Sequence, residues 1–398
     1  MNDEANHQDS AVNWVARARA LAPAIESAAD RNEQERRIAT PVISMISDAG
    51  ILHMLLPASL GGGAADLVTY NQVIEEVAAA DASTAWCLAQ TLASSHAAGY
   101  LDPDIAREVF CAPNAIVAWG PPAGLAKAIA VEGGYRVTGK WRFASGSANA
   151  TWMGGHSSVF EADGTPRLDA AGRPLNRTML FRPADATIHD TWHVMGLRGT
   201  ASNDYEVSNL FVPERYSTWR DYAPDRREAG PLYNIPMLTL YGIGFSGVAL
   251  GLARASLAAF KLLAQTKPWA ATLGNTSPLR DHAVIQAGVA RATGRLNSAR
   301  AYLLRMLAEV WETSASAGKF TLDQRAELRV AITAAMEEST AVVDFCHRAS
   351  GTTAIFQGSP FERRFRDMHT ALAQGQAHLS NFETAGLALL GVEPTQRL

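Results

Sequence analysis

The spacing of apolar residues changes twice along the chain, and this double change constrains the fold more than any single motif. In the first part, Leu67, Tyr70 and Ile74 recur at the spacing of one helix face. In the middle part, Tyr135 and Val137 follow the two-residue period of a strand with one buried face. Helical spacing then returns. The pattern predicts a mainly α protein with a central β module, divided into an N-terminal helical domain (1–113), a middle β-barrel or sandwich domain (114–215) and a C-terminal four-helix bundle (216–398).

The C-terminal bundle is predicted from helix start signals. A long apolar helix is expected from Leu238 to Lys267, and its Gly244, Gly247 and Gly251 let another helix approach closely. Three further helix starts are indicated by Ser277-Pro278 and by the capping-box patterns Thr321-Leu322-Asp323-Gln324 and Ser359-Pro360-Phe361-Glu362. Four long helices with short connections predict an up-down bundle.

Composition and charge exclude several classes of protein. The 398 residues exceed one ordinary core and predict two or three domains. With 47% hydrophobic and 19% charged residues, the composition is that of a soluble globular protein. A net charge of −4 indicates no basic surface for nucleic acid, and every long apolar run is broken before the ~20 residues that span a bilayer. We therefore expect binding neither to nucleic acid nor to a membrane.

The N-terminus and the cysteines bear on location and metal binding. The segment MNDEANHQDS lacks the basic start and apolar core of a secretory signal, so we expect a cytoplasmic protein. The three cysteines, Cys87, Cys111 and Cys346, are odd in number and form no CxxC pair. This spacing indicates neither a disulfide framework nor a zinc site. We expect buried free thiols and no metal.

The stretch from Gly133 to Trp152 is the strongest candidate for chemistry. Its strand pattern ends in Ala144-Ser145-Gly146-Ser147, where the glycine permits unusual backbone angles and the hydroxyls can donate to a ligand. A hairpin is expected to precede it across Gly133-Gly134. An ordinary turn is the alternative interpretation of the Ser-Gly-Ser sequence.

Two further features allow more than one interpretation. Arg198 lies in the glycine-rich loop Met195–Thr200, and its guanidinium suits a flavin phosphate or a substrate carboxylate, although an ion pair is the commoner use. No strand-then-helix context follows, so the known nucleotide-binding loops do not apply. His96, near the end of an alanine-rich helix, is either a site residue or an ordinary core or surface histidine.

The order of modules and several short motifs together resemble the acyl-CoA dehydrogenase fold superfamily. The motifs are Leu60-Gly61-Gly62-Gly63, Ala80-Asp81, Gly139-Lys140-Trp141, Gly196-Leu197-Arg198-Gly199-Thr200, Phe211-Val212-Pro213 and Arg366-Asp367. The resemblance covers nearly the whole chain. It implies a homotetramer assembled through the C-terminal bundle.

Two departures indicate a branch of that superfamily. In the dehydrogenases one usual position of the catalytic glutamate lies soon after the Arg-Asp pair, whereas this chain has Gln374, Gly375 and Gln376 there. Removal of an α-proton from a thioester requires such a base. The segment Trp141-Arg142-Phe143-Ala144-Ser145-Gly146 resembles instead the flavin-dependent monooxygenases that take reduced flavin from a separate reductase. In several of these a histidine stands seven residues after the Arg-Asp pair, at the position of Gln374. Treating this region as one helix places His378, but not His369, on the face of Gln374.

The resemblance to these monooxygenases implies a function and a set of site residues. Reduced FMN or FAD would react with O2 to form a flavin hydroperoxide, and Ser145 would donate to it while aromatic walls exclude water from a small aromatic or heteroaromatic substrate. The aromatic residues Trp86, Trp119, Trp141 and Phe143 can line such a site or simply pack in the core. The predicted catalytic residues are Ser145, His378, Gln374 and His96. The predicted flavin-binding residues are Trp119, Trp141, Phe143, Ser145, Gly146, Ser147, Arg198, Thr200 and Arg280.

Two other classes remain open at this point. An acyl-CoA dehydrogenase or oxidase with tightly bound FAD would take its base from another position in the bundle. A binding protein without flavin is the third interpretation.

Overall fold

The structure, a computed structural model, describes residues 12–169, 172–270 and 273–394. The predicted absence of a secretory signal concerns residues 1–10, which lie outside the described residues. The N-terminal region is helical, as predicted. Its helices are α1 (Trp14–Glu35), α2 (Thr40–Asp48), α3 (Leu67–Ala80), α4 (Ala82–Ser95) and α5 (Pro103–Phe110).

Carboxylates cap the two central N-terminal helices. Asp66 accepts a hydrogen bond from the Thr69 amide at 2.9 Å, and Asp81 accepts from the Thr84 amide at 3.1 Å. Asp81 is therefore the N-cap of α4. Helix α4 is buried on nearly all sides because most of its residues are small. It therefore lies between the other helices and the sheet.

The middle region forms one mixed eight-stranded sheet. Its strands are β1 (Val117–Gly120), β2 (Lys127–Val131), β3 (Gly134–Ala144), β4 (Trp152–Phe160), β5 (Asn176–Phe181), β6 (Thr187–His189), β7 (Asn203–Pro213) and β8 (Ser217–Thr218). The sheet order is β6-β7-β3-β2-β4-β5-β8, and β1 pairs in parallel with β4. The predicted hairpin of β2 and β3 is confirmed, and Gly133 turns it with a φ of +74°. Strands β6 and β8 were not predicted because two or three residues show no period.

The C-terminal region contains three long helices and two short ones. Its elements are α6 (Met237–Thr266), β9 (Pro268–Ala270), β10 (Asn275–Pro278), α7 (Ala283–Ser316), α8 (Leu322–Ala349), α9 (Pro360–Ala371) and α10 (Ser380–Leu389). The prediction that Ser277-Pro278 opens a helix is wrong, because these residues pair with β9 and α7 begins only at Ala283. In place of the fourth long helix that was predicted, the described residues form the shorter α9 and α10, which both contact α8.

The two predicted capping boxes have different outcomes. Thr321 and Gln324 exchange the expected hydrogen bonds at 3.1 Å each, so that box is confirmed. The box at Ser359 is wrong, because its hydroxyl caps no amide and Glu362 pairs with Arg366 one turn later. The Glu362 carboxylate therefore bonds Arg366, four residues later in the helix, instead of the Ser359 backbone amide.

Buried residues fall into two main cores. One core combines the N-terminal helices with α6–α9, and the other lies within the sheet. Helix α6 is long and apolar enough to cross a membrane, but 78% of its most apolar stretch is buried inside the protein, as in the central helix of a bundle. Its glycines pack closely, as predicted, since a Cβ at Gly244 would lie 2.4 Å from the Tyr70 hydroxyl. Cys87 and Cys346 are buried free thiols, whereas Cys111 is half-buried.

Candidate active site

The end of β3 departs from regular strand geometry. Its pairing with β7 shifts between Trp141 and Ala144, and Phe143 in this irregularity has a φ of +60°. A positive φ is rare for an aromatic residue, and it turns the Phe143 ring outwards, leaving the residue 47% exposed. Gly146, with a φ of +81°, begins the turn that follows. The strand therefore delivers Ser145 between an exposed ring and a tight turn.

The Ser145 hydroxyl belongs to a hydrogen-bond chain of side chains from three segments. The Trp86 indole donates to Ser145 Oγ at 3.0 Å, and Ser145 Oγ lies 2.7 Å from Ser202 Oγ. Ser202 Oγ lies 2.7 Å from Thr200 Oγ1, which donates to the Leu197 carbonyl at 2.9 Å. We call these five residues the serine relay. The three hydroxyl-bearing members are all buried.

The donor and acceptor of each hydrogen bond in the serine relay follow from the number of hydroxyl hydrogens. Each hydroxyl has one hydrogen to donate. Thr200 gives its hydrogen to a carbonyl that can only accept, so Thr200 must accept from Ser202, and Ser202 in turn from Ser145. Ser145 can instead donate its hydrogen to a ligand if the Ser202 hydroxyl rotates to donate to Ser145. The hydrogen bond from Ser202 to Thr200 is then lost, at a cost of about 1 kcal/mol.

The turn after Ser145 is fixed by the same neighbouring segment. The Gly146 amide donates to the Thr200 carbonyl at 2.7 Å, and Ser147 Oγ donates to the Ala201 carbonyl at 2.6 Å. Ser147 is buried. The predicted hydroxyl cluster is therefore held in place by hydrogen bonds, and its hydroxyl hydrogens are donated to other groups of the protein.

Four aromatic side chains continue from Ser145 along the junction of α4, α6 and the sheet. Trp86 stacks on Phe245 with ring centroids 3.9 Å apart and planes 4° apart, and Phe245 stacks on Tyr241 at 6.0 Å. The Tyr241 hydroxyl accepts from the Trp119 indole at 2.7 Å. We call Trp86, Phe245, Tyr241 and Trp119 the aromatic wall; each is at most 8% exposed.

A cation lies at the other end of the aromatic wall. The Arg220 guanidinium carbon is 5.1 Å from the Trp119 ring centroid. Its Nε donates to Thr178 Oγ1 at 2.9 Å, and its Nη2 lies 3.2 Å from His156 Nδ1. A third contact joins it to the sulfur of Met237, which also lies 3.8 Å from the Tyr241 hydroxyl. These partners carry no negative charge.

His156 is held in its neutral form beside this cation. Burial and the Arg220 charge lower its pKa well below the usual value for histidine. Thr178 Oγ1, which accepts from Arg220 Nε, lies 2.9 Å from His156 Nδ1 and fixes the orientation of the ring.

His96 is fully buried at the end of α4. Its ring is 5.0 Å from the Tyr233 ring and 5.4 Å from the Tyr100 ring. Burial and the charge of Arg220 lower its pKa to about 3, against an opposing effect of the Leu232 backbone. Neither of its nitrogens, nor the Tyr233 hydroxyl, has a hydrogen-bond partner within the described residues. His96 is thus neutral and cannot act as a cationic acid near pH 7.

The glycine-rich loop packs against α9. A Cβ at Gly196 would lie 2.1 Å from the Arg366 carbonyl oxygen, so glycine is needed for close contact. The Leu197 amide donates to Asp367 at 2.6 Å, and burial raises the pKa of Asp367 to about 7. Since Leu197 also ends the serine relay, Asp367 fixes the far end of that relay.

The predicted phosphate-binding arginines both have carboxylate partners. Arg198 pairs with Glu33 at 3.3 Å and donates to the Val194 carbonyl at 2.9 Å. Arg280 is exposed, and its guanidinium lies 3.7 Å from Asp281. The ion-pair alternative for Arg198 is therefore the one observed in this structure.

Trp141 lies in the core of the sheet and not at the candidate site. It is fully buried in the core of the sheet, stacks on Tyr205 at 5.3 Å and donates its indole hydrogen to the His156 carbonyl. The prediction that its ring lines a flavin site is wrong, because two-residue alternation sends Trp141 to the inner face of the sheet. The exposed ring near Ser145 is Phe143, which meets Trp192 edge-on at 6.4 Å.

The prediction for His378 is also wrong in its geometry. Helix α9 ends at Ala371, and Gln374 accepts from the Gln376 amide at 2.6 Å in a turn that interrupts the helix. His378 is exposed and bonds Ser380 Oγ at 2.7 Å, while His369 bonds Asp344 at 2.9 Å. Helical spacing therefore does not place His378 beside Gln374, whose own amide nitrogen lies 3.8 Å from Met336 sulfur.

Several site residues were missed by sequence reasoning. Ser202 stands two residues after Thr200, and Phe245 is the aromatic residue among the glycines of α6, so both had a local signal. Arg220, His156 and Tyr241 had none, because their contacts join segments 17 to 122 residues apart.

The residues at the end of β3 fit a flavin. Exposed Phe143 and half-buried Trp192 offer an aromatic surface for a planar ring system. Ser145, Gly146 and Ser147 lie next to it and supply hydroxyl and amide groups. Such a mixed surface, apolar with a few placed polar groups, is typical of cofactor sites.

Comparison with known families and proteins agrees with this fold. Residues 6–100 match the family described as Acyl-CoA dehydrogenase, N-terminal domain, and residues 243–379 match Acyl-CoA dehydrogenase, C-terminal domain. The FADH(2)-dependent resorcinol hydroxylase oxygenase component of Rhizobium sp. (strain MTP-10005) is 28% identical over 96% of this chain and 95% of its own length. The indole-3-acetate monooxygenase of Pseudomonas putida is 27% identical over 91% and 90%.

Solved structures share the fold at lower identity. XiaF from Streptomyces sp., in complex with FADH2 and glycerol, superposes with a TM-score of 0.86 over 96% of each chain, at 23% identity. TdsC from Paenibacillus sp. A11-2, with FMN and indole, gives 0.79 over 96% of this chain and 98% of its own, at 18% identity. The chain therefore belongs to the acyl-CoA dehydrogenase superfamily, within which it resembles the oxygenase components of flavin-dependent monooxygenases.

Proposed function

We propose that this chain is the oxygenase component of a two-component flavin-dependent monooxygenase that oxygenates a small aromatic or heteroaromatic substrate with reduced FMN or FAD and O2. The observation that carries the proposal is the contact between Trp86 and Ser145, which joins the serine relay to the aromatic wall. Hydroxyl donors and stacking surfaces thus meet at one place, beside the exposed Phe143 ring. The names of the full-length relatives support the same reaction class.

The residues of this chain would act by positioning and exclusion of water. Bound reduced flavin would supply the electrons that activate O2. Ser145 holds a hydroxyl at the end of the wall, where its hydrogen can be turned towards a ligand oxygen at the cost of one hydrogen bond. Trp86 and Phe245 provide a stacked, water-free surface for an aromatic ring.

The dehydrogenase alternative would need a base from another position in the bundle. Gln374 and its neighbours carry no carboxylate where the dehydrogenases have their glutamate, and an amide cannot remove an α-proton. The relatives named above are hydroxylases and monooxygenases.

Flavin binding is proposed to involve Phe143, Trp119 and the Ser145–Ser147 turn. Thr200 would contribute through the serine relay rather than by direct contact, since it is fully buried. Arg198 and Arg280 remain candidates for the flavin phosphate only if they exchange their carboxylate partners for it.

The proposed partners are a flavin reductase, which supplies the reduced cofactor, and three further copies of this chain in a cytoplasmic homotetramer. Support for assembly comes from apolar side chains exposed on the C-terminal region. Leu262, Val284, Ile355 and Phe356 are each 64% to 67% exposed, and burial between copies would remove them from water.

The test is a comparison of two reactions. The purified protein is mixed anaerobically with reduced FMN or FAD and an aromatic substrate, and oxygenated product is quantified after O2 is added. In parallel, an acyl-CoA is supplied with an electron acceptor. We expect product in the first reaction and no acceptor reduction in the second; the reverse result refutes the proposal.

A further inference from the structure

The hydrogen-bonding contacts of the Arg220 guanidinium are to neutral groups. Its Nε and Nη2 groups face Thr178 Oγ1 and the His156 ring, and Nη1 faces the Met237 sulfur. Burial lowers the pKa of Arg220, although arginine stays charged in proteins. Removing such a charge from water is costly unless an anion accompanies it.

The neighbouring acid has another role. Both Asp221 oxygens face the Met237 amide, at 3.1 and 3.3 Å, where they cap the N-terminus of α6. Asp221 attracts the Arg220 charge from there. The guanidinium itself keeps hydrogen-bonding contacts with neutral groups only, and part of the Arg220 surface remains accessible.

Arg220 is connected to the proposed reaction site through the aromatic wall. It lies over the Trp119 ring, and Trp119, Tyr241, Phe245 and Trp86 follow one another to Ser145. An aromatic substrate stacked along this wall therefore has a hydroxyl relay at one end and a cation at the other.

We infer that Arg220 binds a carboxylate on the substrate, so that the enzyme acts on aromatic acids. The planar fork of a guanidinium matches a carboxylate in two hydrogen bonds. The inference rests on the proposed function and assigns the substrate class of the same site. Arg220 would set both the specificity for the acid and the orientation of its ring towards Ser145.

The uncharged polar side chains of His96 and Tyr233 are compatible with a bound carboxylate. His96 senses the charge of Arg220, and its ring lies 5.0 Å from that of Tyr233. The Tyr233 hydroxyl and both His96 nitrogens have no hydrogen-bond partner among the residues that the structure describes. Neutral donors of this kind tolerate an anion, whereas a second carboxylate would repel it.

The test is calorimetric titration of the flavin-free protein with matched ligands. Phenylacetate is compared with phenylacetamide, and indole-3-acetate with indole-3-acetamide, so that only the charge differs within each pair. The variants are Arg220→Met and Arg220→Lys. The control is Arg215→Met, an exposed arginine 5.9 Å from the Tyr216 ring in the same region of the chain.

We expect wild type and Arg215→Met to bind each acid at least about tenfold more tightly than its amide. Arg220→Met should reduce this ratio to within about twofold, and Arg220→Lys should keep part of it because it keeps the charge. Equal binding of acid and amide by wild type, absence of acid binding, or a preference that survives in Arg220→Met overturns the inference. If Arg220→Met does not fold, the wild-type ratio and the Arg220→Lys ratio decide.

This experiment separates the inference from the proposed function, because binding is measured without flavin or O2. Selective binding of acids without any oxygenation leaves the carboxylate site standing and refutes the monooxygenase. Oxygenation of neutral aromatics without any preference for acids supports the monooxygenase and refutes the carboxylate site.

Discussion

The two ends of the aromatic wall both bury polar groups, but they satisfy them in different ways. At the Ser145 end, neutral donors and acceptors form a chain in which each hydroxyl gives its hydrogen to the next and the Leu197 carbonyl accepts the last. At the Arg220 end, a positive charge is surrounded by a hydroxyl, an imidazole and a thioether. At one end every hydroxyl hydrogen is donated within the protein, and at the other a charged group has only neutral hydrogen-bonding contacts.

The difference separates positioning from binding. A closed hydrogen-bond chain stabilises one side-chain arrangement and can present a hydroxyl to a reacting atom with little reorganisation. A charge whose hydrogen-bonding contacts are all neutral contributes little to folding and much to ligand selection. Substitutions at the two ends should therefore differ in which property they change.

The largest effect is expected for Ser145→Ala. Loss of a placed donor should lower oxygenated product per O2 consumed by about 100-fold, with hydrogen peroxide released in its place. Product and peroxide are quantified together. Ser157→Ala is the control, since Ser157 is equally buried but bonds only the Gly155 carbonyl within its own strand. An unchanged product yield in Ser145→Ala would remove this residue from the reaction.

The anchor of the serine relay should make stability depend on pH. Because burial raises the pKa of Asp367 to about 7, the folded state binds a proton that the unfolded state has lost. The contribution is complete below about pH 4 and is lost as pH rises through 7, which amounts to about 2 kcal/mol between pH 5 and pH 7. Urea unfolding at several pH values measures it. Asp367→Asn should flatten that part of the profile; an identical slope in the variant contradicts the assignment.

Ser202→Ala should have a smaller effect at the same end. It leaves Thr200 Oγ1 without its donor and Ser145 without its acceptor, so the free energy of unfolding should fall by about 1–2 kcal/mol. Product yield should fall less than in Ser145→Ala, because Ser145 itself remains. A yield as low as that of Ser145→Ala would instead indicate that Ser202 contacts the reacting atoms.

Arg220→Met should change stability least. Methionine keeps an unbranched apolar side chain at this position, and Thr178 can still bond His156, 2.9 Å away, after the substitution. We expect the free energy of unfolding to stay within about 1 kcal/mol of wild type, or to rise. A loss of 3 kcal/mol or more would show that Arg220 is a structural ion-pair partner, and would remove the contrast between the two ends.

Local patterns predicted those parts of the molecule that depend on neighbouring residues. The β2–β3 hairpin follows from Gly133 and from strand alternation, and the position of Ser145 follows from the end of that alternation. The same alternation assigns Trp141 to the buried face, which the resemblance alone did not reveal.

The remaining parts depend on contacts between distant segments. Helix α9 ends early because the Gln374 side chain bonds the Gln376 amide, which no hydrophobic period records. Arg220 and His156 are 64 residues apart and meet only because β4 and the segment before α6 pack together. Composition and spacing carry no trace of such a contact.

We propose that the aromatic wall holds a substrate acid between Arg220 and Ser145. The most direct measurement supplies reduced flavin and ¹⁸O₂ to wild-type protein with equal amounts of indole-3-acetate and indole-3-acetamide, and analyses both products by mass spectrometry. We expect one ¹⁸O atom in the product of the acid, formed in at least about tenfold excess over the amide product. Absence of ¹⁸O from both products, or equal labelling of the two, would contradict it.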